Sequence, residues 1–260
     1  MTEYFYEDKF NFKMQTGMFI FSSVTFFILF FIPAQYGKLH NTNRKFLTLP
    51  NKAAWILEEI PNIFITIYFT FKYLLYNSDK INLIKCLMIM PFFIHYVHRG
   101  IIYPFKVKTT KNFPLEIITL ASLFTIINAL MQNRSIFLFM DYSMSDILNG
   151  RALFGLFLFI LGMYMNIYHD YLMIKIKKEN NTYVIPHGTW FKFVSCPNYL
   201  AEIIEWIGYA LLTNTLSAWI FAFATFANLF PRALEYHKWY HNKFKDQYPK
   251  ERKAIIPYLI

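Results

Sequence analysis

The sequence predicts an all-α integral membrane protein, a seven-transmembrane helix bundle with its N-terminus lumenal or outside and its C-terminus cytosolic. Three observations predict this. The 260 residues are 56% hydrophobic and only 16% charged, against about 45–50% apolar and about 25% charged in an ordinary soluble domain. Apolar runs recur near the span of about 20 residues that a bilayer requires. The basic residues, which give a net charge of +10, fall between those runs and not in one patch, which argues against a nucleic-acid partner and for membrane topology.

The first run is Gly17 to Ile32, ended by Pro33 and extendable through Met14–Thr16. Ala53 to Tyr76 is the second and carries Glu58, Glu59 and Pro61. Ile81 to Tyr103 carries His95, His98 and Arg99 near its end. Leu115 to Met131 and Ala152 to Tyr168 are the fourth and fifth. Leu200 to Leu212, with Glu202 and Glu205, and Leu216 to Phe230, stopped by Pro231, are short and joined by a tight turn at Thr213–Thr215. A separate tail helix is expected over Arg232 to Phe244, and the longest connection over Asp170 to Asn198.

Orientation follows from the charge bias. Lys38, Arg44, Lys45 and Lys52 follow the first run; Arg99, Lys106, Lys108 and Lys111 the third; Lys175, Lys177, Lys178 and Lys192 the fifth. With the tail these make 19 of the 26 Lys and Arg, a bias that fits an odd number of spans. Glu3, Glu7 and Asp8 are the wrong charge for a cleavable signal, so the first run is expected to stay as an anchor. Cys86 and Cys196 give neither metal spacing nor a disulfide framework.

A charged side chain at membrane depth is expensive and marks a functional site by default. Glu58 and Glu59 are adjacent, so on a helix they point about 100° apart and only one faces the bundle centre squarely. A carboxyl kept protonated by burial can donate a hydrogen bond; the alternative is a headgroup-solvated pair or one neutralised by Arg99. Tyr96, Arg99 and Tyr103 share one helical face at i, i+3 and i+7. His95 and His98 lack a third ligand, so no metal is expected. Asn166 and Asp170 are spaced i, i+4; Asn198, Glu202 and Glu205 lie at i, i+4, i+7; Arg232, Tyr236 and Tyr240 lie at i, i+4, i+8. These three stripes either line a cavity for a large polar anion or satisfy one another in a packed bundle. No glycine-rich phosphate loop and no Gly-x-Ser-x-Gly is present.

Read in order, the motifs resemble a steroid 5-alpha-reductase. They are Gln35-Tyr36-Gly37-Lys38; Ala53-Ala54-Trp55 with Glu59-Ile60-Pro61; His95-Tyr96-x-His98-Arg99 with Tyr103; and Asn166-Ile167 with Asp170. Asn198-Tyr199 with Glu202 and Glu205-Trp206-x-Gly208-Tyr209 follow, then Arg232-Ala233, Trp239-Tyr240, Tyr248-Pro249-Lys250 and Arg252-Lys253. Lys177 stands where an arginine is usual, Ile174 where a second basic residue often sits, and Tyr236 replaces a histidine.

The resemblance implies a single membrane domain over 1–260. Helices 1–4, in 1–131, would carry the substrate and oxyanion residues, and 132–260 the cofactor site. It implies NADPH-dependent reduction of the carbon–carbon double bond of a 3-oxo-Δ4 steroid or similar lipid enone. Glu59, protonated, and Tyr96 would donate to the C3 oxygen. Asn166, Asp170, Tyr183, Asn198, Glu202, Arg232, Tyr240 and Arg252 would hold the cofactor. The implied surroundings are the lipid bilayer and a hydrophobic steroid-like substrate, in the endoplasmic reticulum, with a mitochondrial or other organelle membrane as the alternative. Two other functions stand beside this one: a catalytically inactive structural subunit of a larger membrane complex, and an enone reductase of fatty acyl or polyprenyl chains.

Overall fold

The computed structural model describes residues 8–32, 47–77, 81–107, 112–180 and 182–260. The turn at Gln35–Lys38, Pro33, the basic residues Lys38, Arg44, Lys45, Lys108 and Lys111, and the acidic Glu3 and Glu7 lie outside the described residues. Within them the protein is all-α save for one short strand pair, and its surface is apolar: Phe19, Phe27, Phe31, Phe64, Phe71 and Phe157 are all exposed. Four helical stretches, 9–31, 83–106, 115–139 and 150–180, are long and apolar enough to cross a membrane.

Helix α1 (Lys9–Phe31) begins where the Asp8 carboxylate accepts from the Asn11 N–H at 2.9 Å. Its buried residues are Asn11, Gln15, Met18 and Ser22, one helical face that is mostly polar and turned inward. Two three-residue strands follow the connections after the first and third apolar runs. In β1 (Thr48–Pro50) and β2 (Asn112–Pro114), Leu49 opposes Phe113 in an antiparallel pair. Each strand ends in a proline, which favours an extended residue before it and suits the entrance of a helix. The clasp thereby ties the start of α2 (Asn51–Tyr76) to the start of α5 (Leu115–Arg134).

Pro61 lies inside α2. Having no N–H, it leaves the Leu57 carbonyl without its helical donor, and Ser122 Oγ of α5 donates to that oxygen at 3.2 Å. Thr125 Oγ1 donates to the neighbouring Glu58 carbonyl at 2.7 Å. Side chains of α5 therefore fix the turn of α2 that carries Glu58 and Glu59.

Helix α3 (Leu83–Val97) runs on through a π-helical turn, His98–Ile102, into α4 (Tyr103–Lys106). The regular spacing expected for Tyr96, Arg99 and Tyr103 is thus widened, as happens often at functional sites. At Gly100 in this turn a Cβ would lie 3.1 Å from Glu59 Cβ, so glycine lets the widened turn close onto α2. Helix α5 ends in a second π-helical turn, Ser135–Phe139, and α6 (Met144–Leu148) is opened by a Ser143–Asp146 capping box.

Helix α7 (Gly150–Asn180) takes up much of the connection expected after the fifth run. Its 31 residues span roughly 46 Å at about 1.5 Å each, longer than the roughly 30 Å hydrocarbon core, so its basic end projects beyond the apolar zone. Helix α8 (Pro197–Thr213) packs on α7 backbone to backbone. A Cβ on Gly162 would lie 2.5 Å from the Glu205 nitrogen, one on Gly155 2.5 Å from the Leu212 nitrogen, and one on Gly208 against the Phe159 nitrogen. Small residues allow this approach in membrane bundles.

Asn214, left-handed at φ 53°, turns the chain into α9 (Leu216–Phe244), where Thr215 accepts from the Ala218 N–H at 3.2 Å. The expected stop at Pro231 does not occur. The helix continues through it, and buried Leu229, Ala233 and Tyr240 hold both halves against the bundle. Burial there outweighs the cost of about 3 kcal/mol for an interior proline. Beyond α9 the tail returns to the segment before α8, with the Ser195 N–H donating to the Lys253 carbonyl at 2.8 Å and the Lys253 N–H to the Phe193 carbonyl at 2.9 Å.

Candidate active site

A cavity of about 580 Å3 opens among α1, α2, α3, α5, α7, α8 and α9. Eight of the ten residues expected at the site line it: Glu59, Tyr96, Asp170, Tyr183, Asn198, Glu202, Arg232 and Tyr240. Its two ends differ in chemistry.

At one end the walls are apolar: Phe21 from α1, Leu120 and Phe124 from α5, and Phe221 from α9. Glu58 and Glu59 both line it, although only one was expected to face inward. The cavity spreads from α1 and α5 on one side of α2 to α3 on the other, so neighbours 100° apart both meet it. Tyr96 is wedged between Phe92 and Trp206, with ring centroids at 4.6 and 6.0 Å. Its hydroxyl oxygen lies 3.4 Å from Asn128 Nδ2.

Arg99 also lines the cavity. Its guanidinium lies over the rings of Trp55 and Tyr103 at 4.8 and 4.5 Å, donates from Nη1 to Asp170 Oδ2 at 2.7 Å and sits 3.9 Å from Glu202 Oε2. Its direct ion pair is with α7, not with the α2 glutamates. Asn198 Nδ2 donates to the other Asp170 oxygen at 3.0 Å, and Asn166 Nδ2 donates to Glu202 Oε2 at 3.0 Å. The stripes of α7 and α8 therefore do both things the spacing allowed: they bind one another, and Asp170, Asn198 and Glu202 still line the cavity.

Aromatic and basic groups form the other end. Arg232 Nη2 donates to the Tyr199 hydroxyl at 3.0 Å, and Tyr199 stacks on Tyr236 at 5.9 Å. Tyr183, Lys177 and Tyr240 complete the wall. Beyond the apolar part of α9, burial raises the pKa of the Tyr240 hydroxyl and holds it as a neutral phenol. His237 shares Ser195 Oγ with Tyr248, each at 2.6 Å. Burial first, then His241, Arg252 and Lys253, lowers the His237 pKa to about 4.

Two expected residues stand behind the lining. Asn166 acts through Glu202 and Asn198. Arg252 is buried at 3% exposure; its Nη2 donates at 3.1 Å to the carbonyl of Pro186, itself a wall residue, while Nε and Nη1 have no hydrogen-bond partner among the described residues. Sequence reasoning missed the pairing of His95 Nδ1 with Glu205 Oε1 at 2.6 Å, both buried, and of His98 Nε2 with the Tyr171 hydroxyl at 2.8 Å. Among the described residues no three His, Cys, Asp or Glu side chains converge as a metal site. It also missed Asn128 and Gln132, whose signal was available as polar residues at the end of an otherwise apolar run.

A family model described as 3-oxo-5-alpha-steroid 4-dehydrogenase matches residues 111–260. The chain is 41% identical to a steroid 5-alpha-reductase of Arabidopsis thaliana, over 89% of this chain and 90% of that protein. It is 36% identical to 3-oxo-5-alpha-steroid 4-dehydrogenase 1 of Homo sapiens, over 86% of this chain and 85% of that one, and 34% identical to that of Bos taurus, over 91% and 92%. The matched span covers α5 to the C-terminus, and the longer alignments take in most of the chain. The chain belongs to the steroid 5-alpha-reductase family of membrane oxidoreductases, which act on CH–CH bonds.

Proposed function

We propose that this protein reduces the carbon–carbon double bond of a 3-oxo-Δ4 steroid, or a similar lipid enone, with NADPH. The observation that carries the reading is the single cavity with two unlike ends: an apolar one where Glu59 and Tyr96 converge, and a polar, aromatic one walled by Arg232, Tyr183 and Tyr240.

The residues fit a dinucleotide. Arg232 and Lys177 supply positive charge at the wall, Tyr199 and Tyr236 offer stacked aromatic surface, and Arg252 keeps two buried donors that a phosphate would satisfy. When bound, NADPH would supply the hydride to the β-carbon of the enone, and the α-carbon would take the balancing proton from water. The chain's task is then to stabilise the negative charge that develops on the C3 oxygen. Tyr96 donates its hydroxyl proton in a hydrogen bond to that oxygen, and Glu59, as a neutral acid, donates a second. Donors fixed in a site with little water need no reorganisation as charge develops, and the removal of one such donor costs about a hundredfold or more in turnover. Arg99, donating to Asp170 and lying over the rings of Trp55 and Tyr103, holds that carboxylate of α7 in place beside the cavity. The rings around Tyr96 exclude water and fix its orientation.

The same reading sets the protein in the endoplasmic reticulum membrane as seven spans, α1, α2, α3 with α4, α5, α7, α8 and α9, with a lumenal N-terminus and a cytosolic C-terminus. Helix α8, at 17 residues, is shorter than the four long apolar stretches, and α2, α8 and α9 carry much of the site: Glu58 and Glu59, Asn198, Glu202 and Glu205, Arg232 and Tyr236. The basic ends of α7 and α9 lie at the cofactor end, where a cytosolic dinucleotide would enter.

The test is direct. Protein purified in mild detergent, given NADPH and a 3-oxo-Δ4 steroid, yields the steroid saturated at that bond. NADPH consumption with acyl or polyprenyl enones but no steroid would move the substrate to the chain-like class. A protein that neither binds nor oxidises NADPH would overturn the reductase reading.

A further inference from the structure

Tyr96 can donate to a substrate only if its single hydroxyl proton faces the cavity, and the structure contains a device behind it that fixes this direction. The device lies on α5. Asn128 Nδ2 is 3.4 Å from the Tyr96 hydroxyl oxygen, and Gln132, one turn on, has Nε2 3.1 Å from Asn128 Oδ1 and 2.9 Å from the backbone carbonyl of Ser217. Asn128, Gln132 and Ser217 are all at 0% exposure.

The orientation of each amide follows from the end of this chain. A backbone carbonyl can only accept, so the Gln132 group facing Ser217 is the NH2. The same nitrogen faces Asn128, which must present its oxygen there. Asn128 then turns its own NH2 to Tyr96. A tyrosine hydroxyl has one hydrogen and lone pairs to accept with; accepting from Asn128, it keeps its hydrogen for another partner, on the cavity side. Ser217 is itself pinned. Its hydroxyl takes a 3.1 Å bond from Gln15 Nε2 of α1 and a 2.7 Å bond with Ser135 Oγ, so the first turn of α9 is held where its carbonyl is needed.

We propose that Asn128 and Gln132 are positioning residues that set the donor direction of Tyr96, with the Ser217 carbonyl as the fixed reference. This rests on the role given to Tyr96 above. Buried polar residues in a bundle also serve as glue between helices, and α5 offers the contrast. Asn133, also at 0% exposure, donates to Thr66 Oγ1 and to the Ala129 carbonyl, each at 2.9 Å, and ties α5 to α2 without reaching Tyr96.

The experiment is a double-mutant cycle in detergent-purified protein, with NADPH and a 3-oxo-Δ4 steroid. It reads kcat, steroid KM and NADPH affinity for the unaltered protein, Asn128→Leu, Tyr96→Phe and the double variant, with Asn133→Leu as the glue control. Asn128→Leu is expected to lower kcat roughly tenfold, a fraction of a lost donor, with NADPH affinity unchanged. In the Tyr96→Phe background it should cost less than about twofold, since both changes act on one group. Asn133→Leu should lower thermal stability and leave kcat as it was. An equal loss of kcat with and without the Tyr96 hydroxyl would overturn the relay, as would normal turnover in Asn128→Leu beside an impaired Tyr96→Phe. Normal turnover in Tyr96→Phe itself would overturn the role of Tyr96 and the relay with it. Should Asn128→Leu not accumulate, Gln132→Met carries the same cycle: it leaves the Asn128 amide free to flip, and its loss should likewise vanish in the Tyr96→Phe background.

Discussion

The α7–α8 wall of the cavity and the α2–α3 wall hold their polar groups by different means. On α7 and α8 the helices touch through glycines, backbone against backbone, and Asn166, Asp170, Asn198 and Glu202 bond one another across that seam. On α2 and α3 the helices are interrupted: Pro61 opens one, Pro91 and a π-helical turn alter the other, and side chains of α5 and the bare Gly100 restore the fit. The first wall is a rigid frame whose residues are fixed by contact. The second is an irregular surface from which Glu59 and Tyr96 line the cavity. On the function proposed above, the first kind of wall would hold a large ligand and the second would place the hydrogen-bond donors.

Breaking the rigid wall should have the largest effect. In Gly162→Leu the side chain would enter the Glu205 and Ala201 backbone, and α7 and α8 could not close. The expected outcome is no monodisperse protein on size exclusion in detergent. Gly162→Ala, the milder form, should cost about 1–3 kcal/mol as an overpacked contact, read as a lowered melting temperature. Next in size is Arg252→Ala. Loss of a charge-assisted bond of about 1.5–3 kcal/mol should weaken NADPH roughly ten- to a hundredfold by calorimetric titration, with steroid KM little changed. An unchanged NADPH affinity would remove the tail from the cofactor site.

The smallest effect concerns His237. Its pKa in the folded protein lies near 4, below the ordinary value of 6.5, so between those pH values the unfolded chain binds the extra proton. Stability should therefore rise with pH through that window, with the penalty complete below about 4. His241, Tyr248, Arg252 and Lys253 are the titratable or charged groups around it. His237→Gln should flatten this part of the melting-temperature profile from pH 6.5 to 4; an unchanged slope would assign it to another group.

How much of this was legible in the sequence depends on whether a feature was local. Glu59, Tyr96, Arg99, Asp170 and Glu202 stood out because ionisable or phenolic groups inside apolar runs have few other reasons to be there. The stripes on α7, α8 and α9 were legible because helical periodicity is local. The π-helical turn at His98–Ile102 was not, since it depends on how α3 closes on α2 through Gly100. Nor was the passage of α9 through Pro231, where a local rule for stopping a helix lost to burial on both sides of it. The His95–Glu205 pair joins residues 110 apart, and neither the α8 stripe nor the Glu205-Trp206 motif says which side chain Glu205 meets. Asn128 and Gln132 fell inside or beside an apolar run with no charge to draw notice.

The claim at the centre is that one cavity has a hydrogen-bond-donating end and a cofactor end that can be broken separately. The measurement is a side-by-side determination of NADPH affinity and saturated turnover for Glu59→Gln and Arg232→Leu. Glu59→Gln should bind NADPH within about twofold of the unaltered protein and turn over about a hundredfold more slowly, as for one lost donor. Arg232→Leu should show weakened NADPH binding as its first effect. Near-normal turnover in Glu59→Gln, or loss of both properties together in each variant, would contradict the account.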